Sequence, residues 1–164
     1  MKKKKWLVVS LIFLSCVLIL AFVLNLFNRR NSIDDLMSQL EKSINNCDLK
    51  SIVNLYPDYY RNTVLDLLSE DKLIEFNNKV GNINISIVGQ TNYDLSQSKD
   101  IQNKIENNYK INLKTEDYQI VIINISNNMG SVFEQTQLEV IKIKGEYYLY
   151  TEYYLGDLIQ CFVD

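Results

Sequence analysis

The chain has 164 residues, with 17 Lys and Arg against 20 Asp and Glu, no histidine, and a formal net charge of −3 at pH 7. Six of the basic residues lie in the first 30 residues, which hold no Asp or Glu, so residues 31–164 carry 11 bases, 20 acids and a formal charge of −9. Residues 31–164 are thus negatively charged and repel phosphate backbones, which excludes nucleic acid as a partner. Without histidine, the usual Ser-His-Asp and Cys-His catalytic arrangements are excluded, and neither a metal nor a cofactor is expected.

The first patterned segment is an apolar run of 22 residues from Trp6 to Phe27, in which only two serines and one asparagine are polar. As a helix this run would be about 33 Å long, enough to cross a hydrocarbon core of about 30 Å. Four lysines precede it and two arginines follow it, so the positive-inside bias places the N-terminus in the cytoplasm. The sequence therefore predicts a single-pass cell-membrane protein with a cytoplasmic basic end at 1–5, a transmembrane helix at 6–27 and an extracytoplasmic domain at 28–164.

Cys16 has two interpretations. Leu14-Ser15-Cys16 resembles a bacterial lipobox, in which Cys16 would carry a lipid. However, Phe13 stands where a smaller aliphatic residue is usual, and eleven mostly apolar residues follow the cysteine, where a lipoprotein normally turns polar. These features favour the spanning helix, with the lipid anchor as the alternative. Both place the body outside the cell.

Two cysteines, Cys47 and Cys161, lie in this outward-facing body. A disulfide between them would close a loop of more than a hundred residues and contribute about 4–5 kcal/mol in the chain-entropy model. The alternative is a pair of buried thiols, and the spacing does not decide between the two.

Helices are predicted in the first half of the body. Apolar residues recur at helical spacing from Ile33 to Cys47, then in a short stretch that Pro57 ends, then across 60–79. The N-cap residues for the first two are Ser32 and Asp48, and the third helical region is expected to break at Ser69.

The second half predicts a mainly antiparallel sheet. Strands are expected at 83–89, 109–113, 118–126, 132–143 and 147–155, with a surface helix at 96–108. Lys144-Gly145 indicates a tight hairpin turn, and the apolar phase slips between Val140 and Ile141, which indicates a β-bulge. Helices followed by a sheet predict one α+β domain, with the N-terminal helices packed on one face of a curved sheet.

This order of elements resembles the nuclear-transport-factor-two-like (cystatin-like) superfamily. The resemblance rests on residues Ile33–Tyr60 and Gly130–Tyr154, above all "INNCDLKSIVNLYPDYY" and "LEVIKIKGEYYLY". The chain is most similar to small membrane-anchored versions outside Gram-positive cells, and its Asn-, Ile-, Lys- and Tyr-rich composition is typical of an AT-rich genome. The resemblance implies a half-open cone whose mouth can form a pocket. Family members include isomerases, dehydratases and many non-catalytic binding or assembly modules.

Tyr56, Tyr59 and Tyr60 form the first candidate site, for binding a ligand. With Asp58, Tyr56 or Tyr60 resembles the Tyr and Asp pair of ketosteroid isomerase-like pockets, in which an apolar cavity tunes the acid. The simpler interpretation is that these tyrosines seal the edge of the core, so catalysis is only the minor alternative.

Tyr148, Tyr150 and Tyr154 form the second candidate site, a partner interface. On a strand these three point away from Tyr147 and Leu149, so one face belongs to the core and the other would expose phenols. Exposed tyrosine is enriched at protein interfaces, although sheet packing explains the same pattern.

The expected function is therefore a non-enzymatic assembly module of the cell envelope that binds another envelope protein or itself. Conjugation, wall building, sporulation and immunity are all compatible contexts. The alternative is a domain that binds a small ligand in its cone.

Overall fold

The computed structural model describes residues 30–112 and 114–150, together with residues 14, 15, 17 and 159. The described residues between 30 and 150 form five helices and one 3₁₀ turn: α1 (Ile33–Asn45), α2 (Leu49–Asn54), the turn Asp58–Tyr60, α3 (Arg61–Leu67), α4 (Glu70–Val80) and α5 (Leu95–Tyr109). The strands are β1 (Ile83–Asn92), β2 (Asp117–Asn127), β3 (Val132–Ile143) and β4 (Glu146–Leu149). The predicted α+β class is confirmed.

Each predicted N-cap residue begins a helix. Ser32 accepts a hydrogen bond from the Asp35 amide at 3.0 Å while the Asp35 carboxylate accepts one from the Ser32 amide, forming a capping box at the start of α1. Asp48 and Ser69 accept hydrogen bonds from backbone amides at the starts of α2 and α4. Because each side chain satisfies an amide that has no partner within the helix, these residues fix where the helices begin.

The four strands form one antiparallel sheet in the order β1-β2-β3-β4. Strands β2 and β3 are the two interior strands of this sheet. Lys144 and Gly145 both have positive φ, 52° and 82°, in the two-residue turn between β3 and β4, as a tight hairpin requires.

The apolar residues of the sheet fall on two faces, and each face contributes to a hydrophobic cluster. One face packs against α1–α4 and carries Val121, Ile123, Leu138, Val140 and Leu149. The other face packs against Ile105 of α5 and carries Tyr118, Ile141, Ile143 and Tyr150. The predicted packing of the N-terminal helices on one face of the sheet is therefore confirmed, and α5 packs against the opposite face.

This two-sided burial corrects the predicted bulge. Val140 pairs with Gln119 and Ile141 with Tyr118 without interruption, and the register shifts lie instead between Ile87 and Gly89 and between Ile125 and Ser126. Two consecutive apolar residues, Val140 and Ile141, suggested a break in the alternation of the strand. In the structure Val140 belongs to the hydrophobic cluster on one face of the sheet and Ile141 to the cluster on the other.

A second correction concerns the strand predicted at 109–113. Tyr109 is the last residue of α5, Lys110 takes the left-handed conformation with φ 55°, and Ile111 and Asn112 form no regular structure. The Tyr109 ring packs against Tyr59, with 4.8 Å between centroids. Tyr109, which the sequence predicted as the first residue of a strand, is therefore the last residue of a helix.

Several predictions lie on residues outside the described part of the chain. Leu14, Ser15 and Val17 are helical, and across the described residues no helix combines the length and apolar character needed to span a membrane. Most of the 6–27 segment, Cys16, Tyr154 and Cys161 are not among the described residues. The membrane-spanning helix, the lipid anchor and the disulfide therefore stay predictions.

Candidate functional site

The three tyrosines on either side of Pro57 lie in different surroundings. Tyr56 and Tyr60 are buried, 3% and 2% exposed, with their rings 5.8 Å apart in the main core. Tyr59 is only partly buried and contacts both hydrophobic cores. Of the predicted ligand-binding group, Tyr59 lines a pocket, and Tyr56 and Tyr60 pack as core residues.

That pocket, which we call the tyrosine pocket, has a volume of about 300 Å³ and opens to solvent. Its walls are mainly apolar, and Asp58 and Lys144 stand at its rim. The lining residues are Pro57, Asp58, Tyr59, Ile111, Ile143, Lys144 and Tyr148. The pocket therefore joins one tyrosine from each of the two groups that the sequence singled out.

The two pocket phenols differ in their surroundings. Burial raises the pKa of Tyr59 well above its usual range, and the neighbouring Tyr150 and Tyr118 add to that shift. The buried Tyr59 hydroxyl has no hydrogen-bond partner among the described residues. Burial also raises the pKa of Tyr148, while Arg30 opposes that shift. The Tyr148 hydroxyl donates to Glu146 Oε2 at 3.3 Å, and the Arg30 guanidinium lies 4.2 Å from its ring centroid. Both phenols remain neutral at physiological pH.

Asp58 does not have the surroundings that the isomerase-like alternative assumed. Its side chain is 88% exposed and forms an ion pair with Arg61 at 2.8 Å. A general acid of that class depends on an apolar enclosure. Tyr56 and Tyr60, its suggested partners, lie in the core away from the pocket lining.

The predicted interface group is also divided. Tyr148 and Tyr150 do share the face opposite Tyr147 and Leu149, as the strand pattern predicted. Tyr150, however, is only 8% exposed and packs edge-on against Tyr118 with ring centroids 6.1 Å apart. The expectation that this face exposes its phenols is wrong at Tyr150, because α5 covers it. Tyr148 remains half-buried in the pocket wall, and Tyr154 is not described.

Cys47 has the left-handed backbone conformation, with φ 52°, just after α1. It is a free, partly buried thiol in the described structure, and its sulfur accepts a hydrogen bond from the Asn77 side-chain amide at 3.6 Å.

Sequence reasoning missed two residues at this site. Arg30 was assigned only to membrane topology, yet it is 7% exposed, donates to the Asn54 carbonyl and pairs with Glu146 at 3.2 Å. Ile111 was assigned to a strand, whereas it lines the pocket. When an arginine follows an apolar segment, nothing in the sequence distinguishes a buried side chain from an exposed one.

Comparisons of the chain with protein-family models, curated proteins and solved structures found no match.

Proposed function

We propose that the chain is a membrane-anchored, extracytoplasmic and non-catalytic domain that binds another protein of the cell envelope through the tyrosine pocket. The observation that carries this proposal is the convergence of Tyr59 and Tyr148, from separate parts of the chain, on one open apolar pocket. Tyrosines in well-packed pockets at the centre of an interface are frequent hot spots of binding energy.

The dimensions of the pocket favour a side chain of a partner protein as its occupant. A volume of about 300 Å³ lies at the lower end of the range for small-molecule sites, which also enclose most of their ligand. An open pocket of this size suits one aromatic or large aliphatic anchor residue. The charged side chains of Asp58 and Lys144 at its edge match the polar rim of protein interfaces.

The membrane anchor and the outward orientation rest on the apolar segment 6–27 and the lysines before it. Many members of the nuclear-transport-factor-two-like superfamily, which the chain resembles, are non-catalytic binding or assembly modules. Conjugation, wall building, sporulation and immunity each supply envelope partners.

A photo-crosslinking experiment in the producing bacterium tests the proposal. Benzoylphenylalanine at position 58, on the pocket rim, is expected to give a discrete adduct with one protein, whereas the same probe at position 95, where Leu95 is 82% exposed, is not. The purified partner should then bind Ile111→Glu and Lys144→Glu at least tenfold more weakly than the unaltered chain. Leu95→Glu, the matched control, should bind normally.

Identical adducts from positions 58 and 95, or normal binding by both pocket variants, would overturn the proposal. The Lys144 side chain is exposed in a turn, so Lys144→Glu should keep its fold, and a loss of binding in this variant is not explained by misfolding.

The small-ligand alternative uses the same pocket. A low-molecular-weight compound retained by the purified protein in native mass spectra, and lost in Ile111→Glu, would favour it over a protein partner. Replacing Tyr56 or Tyr60 does not test that alternative cleanly, because both belong to the core.

A further inference from the structure

Arg30 lies three residues after Phe27, the last residue of the apolar segment, and its side chain is only 9% exposed. Arginine is almost never buried to this extent unless its charge and its donors have partners, because an unpaired buried charge is costly. The partners of Arg30 therefore indicate what this residue does at the boundary between the apolar segment and the folded domain.

The main chain of Arg30 is hydrogen-bonded to β4, which is an edge strand of the described sheet. The Tyr147 amide donates to the Arg30 carbonyl at 2.9 Å, and the Leu149 amide donates to the Leu55 carbonyl at 2.9 Å. These carbonyls give partners to two amides that point away from the sheet. The chain that follows the apolar segment is thus bonded directly to β4.

The Arg30 side chain makes three further contacts. Its guanidinium donates to the Asn54 carbonyl at the end of α2 and pairs with Glu146 Oε2 at 3.2 Å. It also lies 4.2 Å from the ring centroid of Tyr148, whose hydroxyl donates to the same Glu146 oxygen at 3.3 Å. Arg30 and Glu146 therefore hold Tyr148 at its ring and at its hydroxyl.

These contacts matter for the tyrosine pocket because Tyr148 forms part of its wall. A buried arginine cannot leave one partner without leaving the others, and breaking one partner from a buried ion pair strongly destabilises the remaining charge. The bond to β4, the ion pair and the contact with the Tyr148 ring should therefore be made or lost together.

From these contacts we infer that Arg30 is a positioning residue for the tyrosine pocket. It clamps the chain that leaves the apolar segment to β4 and holds the Tyr148 ring in the pocket wall. Because only Asn28 and Arg29 separate Arg30 from Phe27, at most about 10 Å of extended chain joins the clamp to the apolar segment. The clamp thus keeps the pocket at one height and orientation above the bilayer. This orientation rests on the proposed function, which supplies the membrane anchor, whereas the hold on Tyr148 does not.

Fluorine NMR of the full chain in detergent micelles, with 3-fluorotyrosine at position 148 only, tests the hold on the pocket wall. Arg30→Gln should move the resonance at least half of the way towards that of the urea-unfolded chain, and Arg30→Lys, which keeps the charge, should move it less. The control, Lys79→Gln, removes a cation from an exposed ion pair with Glu75 on α4 and should leave the resonance in place.

Glu146→Gln keeps this test decisive if Arg30→Gln does not fold. Glu146 is 31% exposed, so its replacement should preserve the fold while removing the carboxylate that joins Arg30 to Tyr148. Its resonance should shift in the same direction as that of Arg30→Gln. A Tyr148 resonance that stays unchanged in Glu146→Gln, or that moves equally in Lys79→Gln, would overturn the inference.

Time-resolved fluorescence anisotropy in nanodiscs tests the fixed orientation, with a dye at position 99, which is exposed on α5. The domain of the unaltered chain is expected to tumble with the disc. Six Gly and Ser residues inserted between Phe27 and Asn28 should let the domain tumble at least twofold faster, and Arg30→Gln should have the same effect.

Equal tumbling of the unaltered chain and the insertion variant would overturn the fixed orientation. Extraction of the chain from membranes by alkaline carbonate would refute the proposed anchor, and the fixed orientation with it. The Tyr148 resonance would still decide whether Arg30 holds the pocket wall, because that measurement needs no bilayer.

Discussion

Tyr59 and Tyr93 are both partly buried phenols, but only one of their hydroxyls has a partner. The Tyr93 hydroxyl donates to Glu139 Oε1 at 2.9 Å, whereas the Tyr59 hydroxyl is buried without a hydrogen bond among the described residues. A buried polar group that lacks a partner destabilises the folded state, and an intramolecular hydrogen bond contributes about 1 kcal/mol. The same Tyr→Phe substitution should therefore have opposite effects at the two positions.

We expect Tyr59→Phe to leave the free energy of unfolding unchanged or raise it by about 1 kcal/mol, because it removes an unsatisfied hydroxyl and keeps the ring. Tyr93→Phe should lower the free energy by about 1 kcal/mol because the bond to Glu139 is lost. Denaturant unfolding of the full chain in detergent, followed by circular dichroism, measures both. A larger loss in Tyr59→Phe than in Tyr93→Phe would mean that the Tyr59 hydroxyl has a partner outside the described residues.

At the scale of an element, α5 was predicted as a surface helix, and most of its residues are indeed exposed or only partly buried. Ile105 is the exception, 1% exposed, and it packs in the cluster that holds Tyr118 and Ile141. One buried side chain thus anchors the helix to the second face of the sheet. That anchorage helps to bury Tyr150 and places Ile111, two residues after the helix, in the lining of the tyrosine pocket.

Ile105→Ala should therefore lower the free energy of unfolding by about 3 kcal/mol, since it removes buried methyl groups and leaves a cavity. Leu95→Ala on the same helix, where the side chain is 82% exposed, should change it by less than about 0.5 kcal/mol. Thermal unfolding of the two variants beside the unaltered chain tests this. Equal effects would contradict the role of α5 as an anchored cover.

The local features of the sequence predicted most elements, because each depends on neighbouring residues alone. Ser32 satisfies the first amides of its own helix, and Lys144-Gly145 forms a turn whose twist suits the flanking strands. Strand β3 has the predicted bounds for the same reason, since alternation along the strand determines which side chains face the core.

Features that depend on distant residues were not predictable in the same way. The sequence placed Tyr150 on the correct face of the sheet but could not show that α5 packs against that face. Likewise, Tyr59 and Tyr148 stood in separate groups 89 positions apart, and only the fold brings them into one pocket. Alternation along a strand indicates which side chains share a face of the sheet, whereas their burial depends on which other elements pack against that face.

At the scale of the whole molecule, two arginines contact residues of the tyrosine pocket from outside its lining. The Arg30 guanidinium lies 4.2 Å from the ring centroid of Tyr148 and pairs with Glu146. Arg61 pairs with Asp58, 2.8 Å away, at the rim of the pocket. These two ion pairs therefore help to fix the wall and the rim of the tyrosine pocket.

The phenols distributed through both cores make the stability of the whole domain depend on alkaline pH. Burial raises the pKa of Tyr93 and of Tyr118 to about 12, and that of Tyr59 further still, whereas an unfolded chain ionises its tyrosines near pH 10. Because the folded-state pKa is the higher one, this contribution to stability is fully present below pH 10 and is lost as the pH rises from about 10 through 12.

We therefore expect cooperative unfolding above about pH 10, in which the exposed phenols ionise first and the buried ones ionise only as the fold opens. Phenolate absorbance at 295 nm and circular dichroism, recorded on one sample of the full chain, should show the late absorbance rise coinciding with the loss of structure. Tyr118→Phe removes one of the shifted groups, so its stability should fall less steeply with pH over the same interval. If every tyrosine ionised near pH 10 while the circular dichroism stayed unchanged, the phenols would be accessible to water in the folded protein, and the two-sided core would not describe the molecule in solution.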